Sequence, residues 1–177
     1  MTSRTIRPIR PADIASLQAL DAAAHGESWS HRTFLDEIEE PDRVHLVAQL
    51  PTKEIVGHAS AWIDSPSCRI TNVAVAGAHV GHGHASALLL GVVHSAMAGY
   101  ETTNMLLEVR PSNRRAQRLY NRFGFVPVGI HRGFYDHADA SGNRDALVMA
   151  VADVCDQRWR QRLEELESEH VDLGATA

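Results

Sequence analysis

At 177 residues, 44% apolar and 22% charged, the chain is long enough for one buried core and has the make-up of a soluble globular domain. Its net charge of -5 argues against the basic footprint of a nucleic-acid binder, and no apolar run reaches the length of a membrane span. The two cysteines, Cys68 and Cys155, are far apart and give neither a disulfide framework nor a cysteine-rich metal motif. The opening MTSRTIRPIRPAD lacks an apolar signal-peptide core, so the expected location is the cytoplasm.

TIRPIR alternates as a first strand, and Pro11 then opens a helix with Ile14, Leu17, Leu20 and Ala24 on its apolar stripe, ended by Gly26. Ser30 caps a second helix carrying Phe34, Leu35 and Ile38, which Pro41 stops. RVHLVAQL and EIVGHASAWI read as a hairpin turning at Pro51-Thr-Lys, and CRITNVAVA as a strand buried on both faces. After a glycine loop, Ala85, Leu88, Leu89, Val92, Ala96 and Met97 line a helix that ends at Gly99.

NMLLEVR is the next strand, and Asn113 opens a shorter helix with Ala116, Leu119, Tyr120 and Phe123 on one stripe. Two strands, FVPVGIH and DALVMAVA, flank the polar loop DHADASGNR. The order strand, two helices, three strands, helix, strand, helix, two strands predicts an α/β domain over residues 1–152, a mixed sheet with helices on both faces. Residues 153–177 read as a charged terminal helix and frayed end, with Cys155, Trp159, Leu163 and Leu166 as a narrow stripe.

The loop HVGHGHA, residues 79–85, follows a strand and opens a helix, which is a natural anion site. Free amides of a first helical turn face outward, the helix dipole favours negative charge there, and Gly81 and Gly83 let a phosphate approach the backbone. The stretch has no Gly-Lys-Ser/Thr ending for a Walker A loop, and Ser86 stands where a dinucleotide fingerprint needs its third glycine. A zinc site would need His79, His82 and His84 to converge, but His82 and His84 flank Gly83 in a turning segment. The loop therefore reads as a phosphate loop, with no metal.

Glu108 lies on the strand face opposite Met105, Leu107 and Val109, a costly place for a carboxylate unless it is used or is paired with its neighbour Arg110. Tyr120 on an apolar stripe is first of all a core tyrosine, Asn113 first of all an N-cap, and Arg114, Arg115, Arg118 and Arg122 a solvated face.

Three blocks, ITNVAVAGAHVGHGHASALL, LLEVRPSNRRAQRLYNRFGF and RDALVM, occur in the order and spacing of the GNAT acetyltransferases, which the chain resembles from about residue 5 to residue 152. Within them it is most similar to the RimI type, which acetylates the N-terminal alanine of a small-subunit ribosomal protein. The resemblance implies a GNAT fold and acetyl-CoA as the donor. It places the donor's pyrophosphate on Val80, Gly81, His82, Gly83, His84, Ala85 and Ser86, and its pantetheine along Val73, Ala74 and Val75. Asn113 joins the donor site, Glu108 becomes the general base, and Tyr120 becomes the acid that protonates the departing sulfur. One or two of the arginines beside Tyr120 would reach the donor's terminal phosphate, and a backbone amide of the Val73–Val75 strand would stabilise the oxyanion. Trp29, Arg132 and Tyr135 fall in segments that shape the acceptor site.

The family's loop, Arg/Gln-x-x-Gly-x-Gly/Ala, is met at Gly83 and Ala85, with Val80 at its first position and His82 where members often carry arginine. An Asn-Tyr-Tyr of the acceptor region is Gly133-Phe134-Tyr135. An α-amine is roughly a tenth to a fifth neutral at pH 7, whereas a lysine is neutral in below about a thousandth of molecules, so a single carboxylate base suits a protein N-terminus better. The expected partners are acetyl-CoA and a ribosomal protein's N-terminus, with neither nucleic acid nor membrane; acetylation of lysine or a small amine, or a non-catalytic CoA- or metal-binding module, are the alternatives.

Overall fold

The computed structural model describes residues 4–26 and 28–171. In chain order these form β1 (Thr5–Pro8), a 3-10 turn (Pro11–Asp13), α1 (Ile14–His25), α2 (His31–Glu39), β2 (Arg43–Gln49), β3 (Ile55–Asp64) and β4 (Ser67–Val75). Then come a second 3-10 turn (Gly77–His79), α3 (His84–Gly99), β5 (Asn104–Val109), α4 (Arg114–Arg122), β6 (Val126–His131), β7 (Ala146–Val151) and α5 (Gln157–Val171). The seven strands make one sheet in the order β1-β2-β3-β4-β5-β7-β6, antiparallel except for the parallel pair β4–β5. No described helix is long and apolar enough to cross a membrane.

Local chemistry sets the helix ends. The Ser30 hydroxyl accepts from the Thr33 amide and the Asn113 side chain from the Ala116 amide, each satisfying a donor that helix geometry leaves free. Gly26 and Gly124 close α1 and α4 with φ of 84° and 83°, a region that side chains with a Cβ rarely adopt.

Helices pack on both faces of the sheet, while the edge strand β6 is exposed along its length. Leu88, Leu89, Val92 and Ala96 of α3, with Tyr120 and Phe123 from the end of α4, bury one face together with Met105, Leu107 and Met149. On the other, Ile14 and Leu17 of α1 and Phe34 of α2 close over Val47 in a smaller cluster. Trp159, Leu163 and Leu166 of α5 belong to the larger core, and the Trp159 indole donates to the Phe123 carbonyl at 2.8 Å. The frayed end expected beyond α5 lies outside the described residues.

Four sequence expectations are corrected. β4 is buried on alternate residues over Ser67–Thr71 rather than on both faces, because its second face there carries the polar Ser67, Arg69 and Thr71, which reach solvent. The fourth buried position of the α1 stripe is Asp21, not Ala24, since Asp21 finds buried hydrogen-bond partners while Ala24 faces an open cleft. Cys155 is exposed, because it precedes α5 in a turn where the Asp153 carboxylate accepts from its amide. Glu108 does not pair with Arg110; its partner is Arg69, which the parallel β4–β5 pairing brings alongside.

Candidate active site

β4 carries one extra residue. Ser60 pairs with Asn72 and Ala61 with Ile70, so Thr71 is unmatched and the strand bulges there. The bulge reverses which side chains face which way. Cys68 and Ile70 point into the larger core before it, as Val73 and Val75 do after it, while Asn72 turns to α1 and donates to Asp21. The pairing of β4 with β5 also ends there, at Ile70 with Leu107, although β4 continues to Val75. The two strands thus separate, leaving the β5-facing edge of residues 71–75 without a strand neighbour.

A cleft of about 640 Å³ occupies this opening and continues over the glycine loop. Val73, Ala74, Val75, Val80, Gly81, Gly83, His84, Ala85, Ser86, Asn113 and Tyr120 all line it. So do Arg115, Arg118 and Arg122, which arrive from α4, and Leu20, Ala23, Ala24 and His25 from α1. Gly81 and Gly83 have φ of 96° and 78°, which turn the chain into α3 with its first amides free. His82 is the one donor-site residue expected from the sequence that does not line the cleft; its carbonyl accepts from Arg4.

The loop histidines lie near one another around His84. His79 and His82 rings lie 5.9 and 6.4 Å from the His84 ring, and no three His, Cys, Asp or Glu side chains among the described residues are grouped to hold a metal ion. His84 is buried, and neither ring nitrogen has a hydrogen-bond partner. Burial first, then the positive charges of Arg4, His79 and His82, hold its imidazole below the ordinary value.

Tyr120 sits on the inner wall of this cleft. Burial pushes its phenol well above the usual tyrosine range, and nearby Tyr135 adds to the effect, so the hydroxyl keeps its proton across neutral pH. Glu108 lies on the opposite face of the sheet, in a shallow trough shared with Arg69, His131 and Arg132. Its side chain is 5% exposed, Arg69 donates to its Oε1 at 2.8 Å, and His131 Nδ1 stands 3.6 Å from the same oxygen.

Arg110 instead organises the loop between β6 and β7. Its guanidinium lies 3.8 Å from the centre of the Tyr135 ring and donates to the His137 carbonyl. Burial raises the Tyr135 phenol against the pull of Arg110, and Glu108 raises it further. Ser112 donates to Asp139 at 2.8 Å, fastening the same loop to the start of α4. Of the three expected acceptor contacts, Arg132 therefore adjoins Glu108 and Tyr135 is held close by. Trp29 lines neither cavity and packs against Phe34 and His45 in the smaller core.

A buried polar chain went unread in the sequence. Asp21 Oδ1 is 2.8 Å from His58 Nε2, His58 Nδ1 is 2.9 Å from His45 Nε2, and Glu37 stands 3.6 Å from His45 Nδ1. Burial opposes ionisation of Asp21, but hydrogen bonds from His58 and Asn72 outweigh it and keep the carboxyl below its usual range. Burial pushes His45 down to about 3 and Glu37 up to about 7, the latter against the attraction of Arg43. The available signal was polar residues recurring at core-facing positions: Asp21 four after Leu17, and His45 and His58 inside apolar strands.

The α/β sheet parts beside a helix N-terminus, with a carboxylate on one side of the opening and a phenol on the other. The profile of the acetyltransferase (GNAT) family matches residues 14–125, and the chain belongs to that family. It is 28% identical to the putative ribosomal protein bS18-alanine N-acetyltransferase of Bacillus subtilis, over 85% of this chain and 96% of that protein. It is 29% identical to the bS18-alanine N-acetyltransferase of Haemophilus ducreyi, over 82% and 98%. Among solved structures, the Escherichia coli ribosomal-protein-S18-alanine N-acetyltransferase superposes with a TM-score of 0.74 at 24% identity, covering 88% of this chain and 97% of that one. Arabidopsis thaliana NAA60 in complex with acetyl-CoA gives 0.73 at 22%, covering 84% and 98%. The fold is therefore the GNAT fold, as expected from the sequence.

Proposed function

We propose that the protein transfers acetyl from acetyl-CoA to the α-amine of a protein N-terminus, the alanine of a small-subunit ribosomal protein being the favoured acceptor. The observation that carries the chemistry is the placement of Glu108 and Tyr120 on opposite faces of the sheet, with the β4–β5 opening between them.

The first amides of α3 receive the donor's pyrophosphate, with Val80, His84 and Ser86 beside them and Arg115 or Arg118 on the terminal phosphate. Residues 73–75 run alongside the pantetheine arm, and their unpaired edge offers amides to the thioester oxygen. On the far side Glu108 supplies the negative charge that drives proton loss from the acceptor ammonium. The freed amine attacks the thioester carbon, backbone amides hold the oxyanion, and the carbon–sulfur bond breaks. Tyr120 delivers a proton to sulfur, its burial keeping the hydroxyl protonated until then. Arg132 and Tyr135 contact the acceptor chain.

The choice of acceptor is supported by the names of the relatives from Bacillus subtilis and Haemophilus ducreyi, and by the larger neutral fraction of an α-amine. The deciding experiment is mass spectrometry on three acceptors: a peptide beginning Ala-Arg, the same peptide with its α-amine blocked and one internal lysine, and spermidine. Acetylation of the free N-terminus alone supports the proposal. Equal labelling of the lysine or of spermidine replaces it with a side-chain or small-amine acetyltransferase.

A further inference from the structure

Glu108 is nearly covered. The oxygen it turns toward His131 is the one that already accepts from Arg69, and the carboxylate has 5% of its side chain exposed. An ammonium carried on a protein chain must reach it past the groups that cover it. The group best placed to meet that ammonium is His131, the last residue of the edge strand β6, with 51% of its side chain exposed and Nδ1 3.6 Å from Glu108 Oε1. Its ring rests against Phe134, with centroids 4.9 Å apart and planes tilted by 55°, and the residue lines the trough that holds Glu108.

We infer that His131 is a further catalytic residue: its imidazole takes the proton from the acceptor ammonium, and Glu108 holds the imidazolium that results. The inference rests on the reading of the protein as an amine acetyltransferase, whatever the amine. An imidazole changes charge near neutrality, so it accepts a proton and gives it up again at working pH. A carboxylate behind the other ring nitrogen orients the ring and stabilises its cation. The separation of 3.6 Å is an open version of that contact, of the kind that tightens when substrate binds.

The protons balance. The acceptor nitrogen sheds two. The first breaks from the ammonium, passes to His131 Nε2, and leaves to solvent from the exposed side of the ring. The second breaks from the nitrogen after attack and replaces the proton that Tyr120 gives to the departing sulfur. The charged and titratable groups around His131 are Arg69 on β4, Glu108 on β5, and Arg132 and Tyr135 on its own hairpin. Asp145, which accepts from the Gly133 amide, stands just before β7.

The test is steady-state turnover of the full chain from pH 5.5 to 9, run on whichever amine the wild type acetylates, so that a wrong acceptor does not disturb it. His131→Gln should lower kcat about 10²-fold or more and remove the ionisation on the acid limb, with the acetyl-CoA KM unchanged within about twofold. His131→Gly should regain at least about tenfold of its lost rate when free imidazole is added, most strongly where imidazole is neutral. A purely structural histidine at a strand end would show neither the lost ionisation nor the rescue. His131→Gln within about threefold of wild type with the same acid limb, or His131→Gly indifferent to imidazole, overturns the inference while leaving the acetyltransferase reading intact. A wild type inert toward every amine overturns both.

Discussion

Arg69 and Glu108 are joined at 2.8 Å across the place where β4 and β5 part, Glu108 being the first residue past the last paired position, Leu107. The ion pair therefore fixes the carboxylate at the mouth of the opening. Arg69→Met removes the guanidinium and leaves the nearly buried carboxylate without its hydrogen-bonded counter-charge. On the proposed reading, kcat/KM for the acceptor should fall while the acetyl-CoA KM stays within about twofold of wild type. Steady-state kinetics on both substrates check this; an acceptor kcat/KM equal to wild type would make the pair merely structural.

Glu108→Gln keeps the shape and loses the charge. Turnover should drop by about 10²–10⁴-fold, the range typical of lost acid–base help, with the circular dichroism spectrum unchanged. Tyr120→Phe should reduce kcat more than it raises the donor KM, since in the proposed mechanism the hydroxyl acts on the departing sulfur. Both variants staying within a few-fold of wild type would contradict the assigned roles.

His84 gives donor binding a pH signature. The free protein holds this imidazole low through burial and the nearby positive charges, whereas a pyrophosphate at the start of α3 favours the cation and raises it. The complex then carries more protons than the free protein, so acetyl-CoA affinity should increase as pH falls. The rise should extend below the ordinary imidazole value of about 6.5, because the free value lies lower. Calorimetric titration from pH 5 to 8 should show this slope in wild type and a flatter one in His84→Gln. A zinc site would instead lose affinity to a chelator and regain it with metal.

Glu37 and His45 shape stability in opposite directions. Glu37 is raised to about 7, so the stability of its protonated form is present below the unfolded carboxylate value and is lost as pH climbs through 7. His45 is lowered to about 3, so its contribution is present above the unfolded imidazole value and is lost as pH falls toward 3. Glu37→Gln should therefore melt higher than wild type at pH 8, and that advantage should shrink to nothing near pH 4.5. Scanning calorimetry of the two proteins across this range decides it; a gap that does not change with pH would count against a raised Glu37.

α5 is part of the larger core. Trp159→Ala removes a buried indole and its hydrogen bond to Phe123 and should cost about 3–5 kcal/mol in urea unfolding. Gly124→Ala should cost less yet still destabilise, because a Cβ there would lie 2.9 Å from Trp159 Cδ1 at a φ of 83°. A Trp159→Ala penalty below about 1 kcal/mol would mean that α5 adds little to the core.

Periodicity made the elements legible, since each helix stripe and each alternating strand follows from where the core must lie. The caps at Ser30 and Asn113 were equally plain. The bulge at Thr71 was not, because Ile70-Thr-Asn-Val reads as an ordinary apolar strand and only the pairing with Ser60 and Ala61 reveals the unmatched residue. The glycine loop that lines the cleft could be read because its features are local, amides and glycines adjacent in sequence. Glu108 could be read as a misplaced charge, but its partner could not: Arg69 is 39 residues away and meets it through a parallel crossover. His131 carried no signal, being one histidine among 11 until β6 set it beside a carboxylate.

The single unmatched residue in β4 also bears on how such an enzyme diversifies. Because side chains change sides at Thr71, one strand borders two rooms, which on the proposed reading receive the carrier over α3 and the amine beside β6. The hairpin that furnishes the second room contributes no residue to the first. Insertions or exchanges between Arg132 and Asp145 can then retarget the amine while the carrier's berth stays as it is, so that new clients come by refitting one loop.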